Sequence, residues 1–177
     1  MMKIGVLSDT HLTAPAGNFL GNVTQKIRNK LTLEDLRAIV AEHFRGVELI
    51  IHAGDFVETA VADMLRTFAP LEAVHGNMDI AEVERAFPAA RVLEIGGFKI
   101  GVTHGDGAPQ GIIERVSAKF AGVDAIVFGH SHQPVNERRD GVLFFNPGSP
   151  TDRIFAPYNS LGLLEIGDAI SGQIIRL

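Results

Sequence analysis

An α/β fold is predicted by three features of this sequence. Apolar runs rich in β-branched residues alternate with segments of helical character. Several of those runs are almost unbroken, the pattern of strands covered on both faces. The 177 residues, 46% of them hydrophobic, suit a single domain over 1–177 with a sizeable core.

The strand-like runs cover residues 4–7, 47–53, 71–74, 98–103, 125–128 and 142–145. The clearest helix covers 33–45: Thr32 suits its N-cap, acidic residues fill its first turn, and Gly46 follows its end. Helices are also expected over 59–68, before Pro70, and over 110–120, before Gly122. The C-terminal stretch LGLLEIGDAISGQIIRL reads as an antiparallel hairpin turning near Gly167 and Asp168. Residues 11–30 hold glycine, asparagine and one proline without a clean period. They read as a long loop, of the kind that often carries function.

Composition removes several function classes. There is no cysteine, so any transition-metal site must use imidazole, carboxylate, amide or water. The opening MMKIGVLSD is too short and reaches charge too soon for a signal peptide. No apolar run approaches the roughly 18 residues of a membrane span, so a cytoplasmic protein with no membrane partner is expected. The formal net charge is −5 with no basic block, which gives little support to binding duplex nucleic acid.

The polar residues fall at the ends of the apolar runs. VLSDTH closes the first with Asp9 and His11, and IIHAGD closes the second with Asp55. AVHGNMD closes the third with Asn77, and IGVTHGD a fourth with His104. IVFGHSH closes a fifth with His130 and His132. Ligands of open α/β sheets gather at the carboxyl ends of strands, so residues far apart in sequence become candidates for one site. In extended chain, residues i and i+2 project to the same side. Asp9 with His11, and His130 with His132, are therefore expected to reach one point in pairs. Seven such donors exceed one four-coordinate zinc ion, and suit two metals that share a carboxylate and are completed by water. Mixed imidazole and carboxylate favours manganese, iron, nickel or zinc over calcium or magnesium alone. Ligand softness does not choose among the four, and manganese is the first expectation.

The ordered set Asp-x-His, Gly-Asp, Gly-Asn, His-Gly and Gly-His-x-His resembles the calcineurin-like metallophosphoesterases, above all their small bacterial and archaeal phosphodiesterases. NPGSP, residues 146–150, matches as well. The resemblance implies a four-layer α/β sandwich of two mixed β-sheets flanked by helices. It implies that Asp9, His11 and His132 bind one metal, that Asn77, His104 and His130 bind the second, and that Asp55 bridges them. Asp55, Asn77 and His104 then count as catalytic too. The implied reaction is hydrolysis of a small phosphodiester by hydroxide held between the metals. It also implies a homo-oligomer, for which the sequence carries no interface signature. A related eukaryotic trafficking subunit with a degraded metal site acts as a scaffold, so a non-catalytic interaction protein is the alternative. Here all seven positions keep competent ligand types.

Two departures stand out. Many relatives carry a histidine directly after Gly-Asn, thought to assist the leaving group. Here GNMD places Met78 there, and methionine donates no proton. His75 or a metal-bound water is the expected substitute, and esters with good leaving groups the expected preference. The second departure is Asp106, where some relatives have histidine.

Structural uses compete with some of these roles. Asp55 could cap a helix beginning near Val57, and Asn77 could shape a turn. His52 reads as a core histidine or a support to a ligand, His43 as a helix C-terminal cation. Asp79 is expected to orient an imidazole ligand. Asn146 and Ser149 either shape a turn or border the site.

Overall fold

The computed structural model describes residues 1–13, 31–152 and 154–177. Most of the loop expected over 11–30 lies outside them. Leu12, at its start, makes a parallel bridge to Val57.

Two five-stranded sheets carry the fold. The first contains β1 (Met2–Leu7), β2 (Leu49–His52), β3 (Leu71–Ala73), β9 (Ser160–Ile166) and β10 (Ile170–Arg176), in the order β10-β9-β1-β2-β3. Its β1, β2 and β3 are parallel, while β9 runs antiparallel to β1 and β10 to β9. The second contains β4 (Ala90–Ile95), β5 (Phe98–Thr103), β6 (Ala125–Val127), β7 (Val135–Arg139) and β8 (Val142–Asn146), in the order β4-β5-β6-β8-β7. Here β5, β6 and β8 are parallel, and both edge strands are antiparallel to their neighbours.

Side-chain alternation explains why the central strands read as unbroken apolar runs. Leu49 and Ile51 of β2 enter the core between the sheets, and Ile50 enters the outer core beneath helices. In β6, Ala125 and Val127 point between the sheets and Ile126 points outward, where Phe144 of β8 joins it. Helices α1 (Leu33–His43) and α2 (Thr59–Arg66) cover the outer face of the first sheet through Leu36, Val40, Val61 and Leu65. Helix α4 (Ile112–Ser117) covers the second through Ile112 and Val116. The result is the expected four-layer sandwich. Helix α3 (Ala81–Ala86) is a short addition after β3.

Local chemistry sets the element ends. Thr32 caps α1 in a full capping box: its Oγ accepts the Asp35 N–H at 3.2 Å, and Asp35 Oδ2 accepts the Thr32 N–H at 2.8 Å. The C-terminal hairpin turns at Gly167, whose N–H donates to Ala169 O at 3.1 Å. The helices expected over 59–68 and 110–120 shorten to α2 and α4. Among the described residues, no helix is long and apolar enough to cross a membrane.

Candidate metal centre

The site straddles both sheets at their carboxyl ends. Asp9 and His11 follow β1, Asp55 follows β2, and Asn77 follows β3. His104 follows β5, and His130 and His132 follow β6. The pairs do not converge through a pleat, as extended geometry predicts. Asp9, His11, Asp55, His130 and His132 all have positive φ, between 43° and 67°. Each strand has already ended, and tight left-handed loops turn these side chains inward. Such backbone costs of order 1–3 kcal/mol per residue and persists where the surroundings fix it. They do so here: the Asp9 N–H donates to Gly54 O at 3.0 Å and the His11 N–H to Asp55 O at 3.1 Å. Helix α2 starts at Thr59 behind Glu58, so Asp55 is not its cap.

Asp9, His11 and His132 form one group able to hold an ion, and Asp9, Asp55 and His104 another. His132 Nε2 lies 3.2 Å from Asp9 Oδ1 and 3.3 Å from His11 Nε2. Asp55 Oδ2 lies 3.4 Å from His11 Nε2 and 3.3 Å from His104 Nε2. One carboxylate oxygen thus stands between the two sets of imidazoles. His130 Nδ1 meets Asn77 Oδ1 at 3.0 Å, and its ring stands edge-on to His104 at 5.2 Å.

The nitrogens that face outward explain the polarity inside. His104 Nδ1 donates to Ala53 O at 2.8 Å, His130 Nε2 to Gly107 O at 2.8 Å, and His132 Nδ1 to Asp152 Oδ2 at 2.6 Å. In the neutral rings those bonds place the outer protons and leave inner lone pairs that face Asp55 from His104, Asp9 from His132 and the Asn77 amide oxygen from His130. His104 Nε2 is buried without a hydrogen-bond partner. A buried acceptor beside carboxylate oxygens fits a divalent cation, and the imidazole, carboxylate and amide set fits a transition metal.

The electrostatics of the metal-free chain agree. Burial lowers the affinity of His132 for a proton, but Asp9 and Asp152 outweigh it and raise the pKa to about 9. For His104 too, burial is outweighed, here by Asp55 and Asp9, and the pKa is raised. Burial pushes the Asp55 carboxyl up, yet His104, the Met78 N–H and His11 hold it below the usual range. His52 is buried, and that, with the charges of His104 and His11, keeps it neutral. It takes the Gly54 N–H at 3.2 Å, faces Thr10 Oγ at 3.2 Å, and stacks on Phe56 at 3.6 Å. It is a satisfied core histidine beside the loop of Asp55.

Supporting residues depart from expectation in places. Among the described residues, no hydrogen bond or ion pair joins Asp79 to an imidazole. Asp79 accepts the N–H groups of Asp55 at 3.1 Å, Gly76 at 2.7 Å and Val57 at 2.7 Å, and so ties the loops after β2 and β3 together. Asn146 donates to Gly129 O at 2.9 Å and Ser131 Oγ at 3.1 Å, holding the loop of His130 and His132. Ser149 Oγ donates to Asp9 O at 2.7 Å. Both border the site through backbone rather than by facing its centre. Asp106 is exposed and pairs with Lys119 at 2.8 Å. Asp152 escaped the sequence reading. Its only signal there is an acidic residue shortly after NPGSP.

A cleft of about 410 Å³ opens in front of the site, lined by His11, Asp55, Asn77, His130 and His132 with Met78 and Phe155. His75 lies outside that lining. It borders a neighbouring cleft of about 220 Å³ reached through Asn77 and His104.

The description "Calcineurin-like phosphoesterase superfamily domain" matches residues 2–169. The chain belongs to this superfamily. A probable metallophosphoesterase of Methanothermobacter thermautotrophicus is 35% identical over 99% of this chain and 92% of its own length. The phosphodiesterase MJ0936 of Methanocaldococcus jannaschii is 30% identical over 83% of each. Among solved structures, an archaeal phosphodiesterase superposes with a TM-score of 0.71 at 26% identity, covering 99% of this chain and 100% of that one.

Proposed function

We propose that this chain is a dinuclear metal-dependent phosphodiesterase acting on small phosphodiesters. The position of Asp55 Oδ2 carries the reading: it lies 3.4 Å from His11 Nε2 on one side and 3.3 Å from His104 Nε2 on the other. That is where a bridging carboxylate has to stand. Asp9, His11 and His132 would hold one ion, Asn77, His104 and His130 the second, and Asp55 both. When bound, two divalent ions supply Lewis acidity and an acidified water nucleophile near neutral pH.

The chain's own residues do the rest. Asn77 contributes a neutral oxygen, so the site keeps more positive charge than a further carboxylate would allow. The outward bonds of His104, His130 and His132 fix which nitrogen faces the centre. In the front cleft, every described imidazole belongs to the proposed ligand set, and Met78 stands where an acid would serve the leaving group. Esters whose leaving groups depart without a proton are therefore the preferred class. The two phosphodiesterase relatives support the reaction type, and the cleft of about 410 Å³ suits a small molecule.

Hydrolysis of bis(p-nitrophenyl) phosphate by chelator-stripped protein, titrated in turn with Mn²⁺, Ni²⁺ and Zn²⁺, tests the proposal. Metal-dependent release of p-nitrophenolate is expected, strongest with Mn²⁺. Absence of turnover with all three would make the chain a metal-binding scaffold instead.

A further inference from the structure

Two apolar side chains stand in water at the mouth of the front cleft. Phe155 is 70% exposed and Met78 56%, yet both line the same cleft as the proposed metal ligands. Each is placed by its backbone against a carboxylate of the site. The Phe155 N–H donates to Asp152 Oδ2 at 3.0 Å, and those of Ile154 and Ala156 donate to the same carboxylate at 2.8 and 2.9 Å. That carboxylate also holds His132 at 2.6 Å, and the Phe155 ring meets His132 edge-on at 6.0 Å. The Met78 N–H donates to Asp55 Oδ1 at 2.8 Å. The backbone beneath the thioether is thus tied to Asp55, and that beneath the ring to Asp152, the carboxylate that holds His132.

We propose that Phe155 and Met78 seat an aromatic ring carried by the substrate, so that the preferred phosphodiester has at least one planar arm, aryl or nucleobase. The proposal rests on the reading above, that the phosphoryl group sits at the seven proposed ligands. An ester arm leaving that position runs toward the cleft mouth, where the ring and thioether stand. Aromatic rings attract one another at centroid distances of about 4.5–7 Å, and thioether sulfur favours aromatic edges at about 5 Å. A saturated arm such as methyl gains neither contact and covers less of the exposed apolar surface.

Calorimetric titration of the Mn²⁺-loaded protein with three diesters tests this: dimethyl phosphate, methyl phenyl phosphate and the methyl ester of thymidine 5′-phosphate. An aromatic arm is expected to tighten binding about tenfold over dimethyl phosphate. The larger gain, phenyl or thymidine, identifies the source of the ring. Phe155→Ala should remove most of the advantage and Phe155→Leu part of it. Ile154→Ala, next door at 82% exposure but outside the cleft lining, should keep it. Equal affinity for all three diesters, or an advantage untouched by Phe155→Ala, would overturn the proposal and leave Phe155 to a protein partner. Hydrolysis of bis(p-nitrophenyl) phosphate, whose leaving group departs without a proton, by the same Mn²⁺-loaded protein separates the two readings. Aromatic preference without hydrolysis sinks the phosphodiesterase and keeps the seat, and hydrolysis without preference does the reverse.

Discussion

Asp152 Oδ2 accepts the Nδ1–H of His132 at 2.6 Å, and the same carboxylate gathers three backbone N–H groups of the turn that follows it. The imidazole of a proposed ligand and a surface turn are therefore fixed by one side chain. A carboxylate on the outer nitrogen raises the basicity of the inner one and locks the ring's orientation. Asp152→Asn keeps the shape and removes the charge. It is expected to weaken metal binding about 10–100-fold, measured by competition with a chromophoric chelator. Unchanged affinity would show that His132 is not a ligand or that its orientation is set elsewhere.

On the proposed assignment, protons and metal compete for His132. Burial opposes its protonation, but Asp9 and Asp152 dominate and raise its pKa to about 9 in the metal-free chain. A metal needs the neutral ring, so apparent affinity should rise with pH up to about 9, and loading near neutral pH should release at least one proton, from His132, with a further share from His104, whose pKa is also raised. Without metal, the sign for stability is the opposite. A raised folded-state pKa stabilises fully below the ordinary imidazole value of 6.5, and the contribution is lost as pH rises through about 9. Heats of metal loading, compared in buffers of different ionisation enthalpy, count the protons. Loading at neutral pH with no proton released would contradict the assignment.

The legibility of the sequence followed contrast. Asp9, Asp55, His104 and His130 were visible because each stands at the end of a buried apolar strand, where polar side chains are out of place without a use. The strand β7 was not visible. It is an edge strand whose Asn136, Glu137, Arg138 and Arg139 are exposed, and charged edges are how sheets discourage further pairing. The edge strand β4 escaped for a related reason, since half its side chains face solvent. The left-handed loops that aim the ligands also left no trace. Asp and His tolerate positive φ more than most residues but do not announce it. Asp152 acts on a residue 20 positions away, a meeting made only by the tertiary fold.

Asp79 offers a test of how those loops are held. Its two oxygens take three backbone N–H groups, from Asp55, Gly76 and Val57. Asp79→Ala leaves those donors without their acceptor in a mostly buried place. Unsatisfied buried donors cost about 1–3 kcal/mol each, and partial rehydration makes about 3 kcal/mol a reasonable total. A lowered urea midpoint with weaker metal binding is expected, because the Asp55 loop loses its brace. A loss of metal binding without any loss of stability would point to direct ligation by Asp79 instead.

On the proposed mechanism, Met78 sets which esters the site cleaves. Its N–H is held by Asp55 Oδ1 at 2.8 Å, and its side chain lines the front cleft. A different side chain at this position inherits the same placement, and at 56% exposure the exchange should cost little stability. Methionine gives the departing oxygen no proton, so the rate should fall steeply as the leaving-group pKa rises across a series of aryl diesters. Met78→His places an imidazole there, with a pKa near the working pH, where general acids are most effective. The slope should become shallower, and alkyl esters should gain about a hundredfold, the lower range for a positioned acid. Aryl esters with good leaving groups should change little in kcat, because their departure needs no proton, and the lost thioether contact should show in KM instead. A shallow slope already present in the unsubstituted protein would mean that the proton comes from elsewhere, and His75 in the neighbouring cleft would be the next residue to replace.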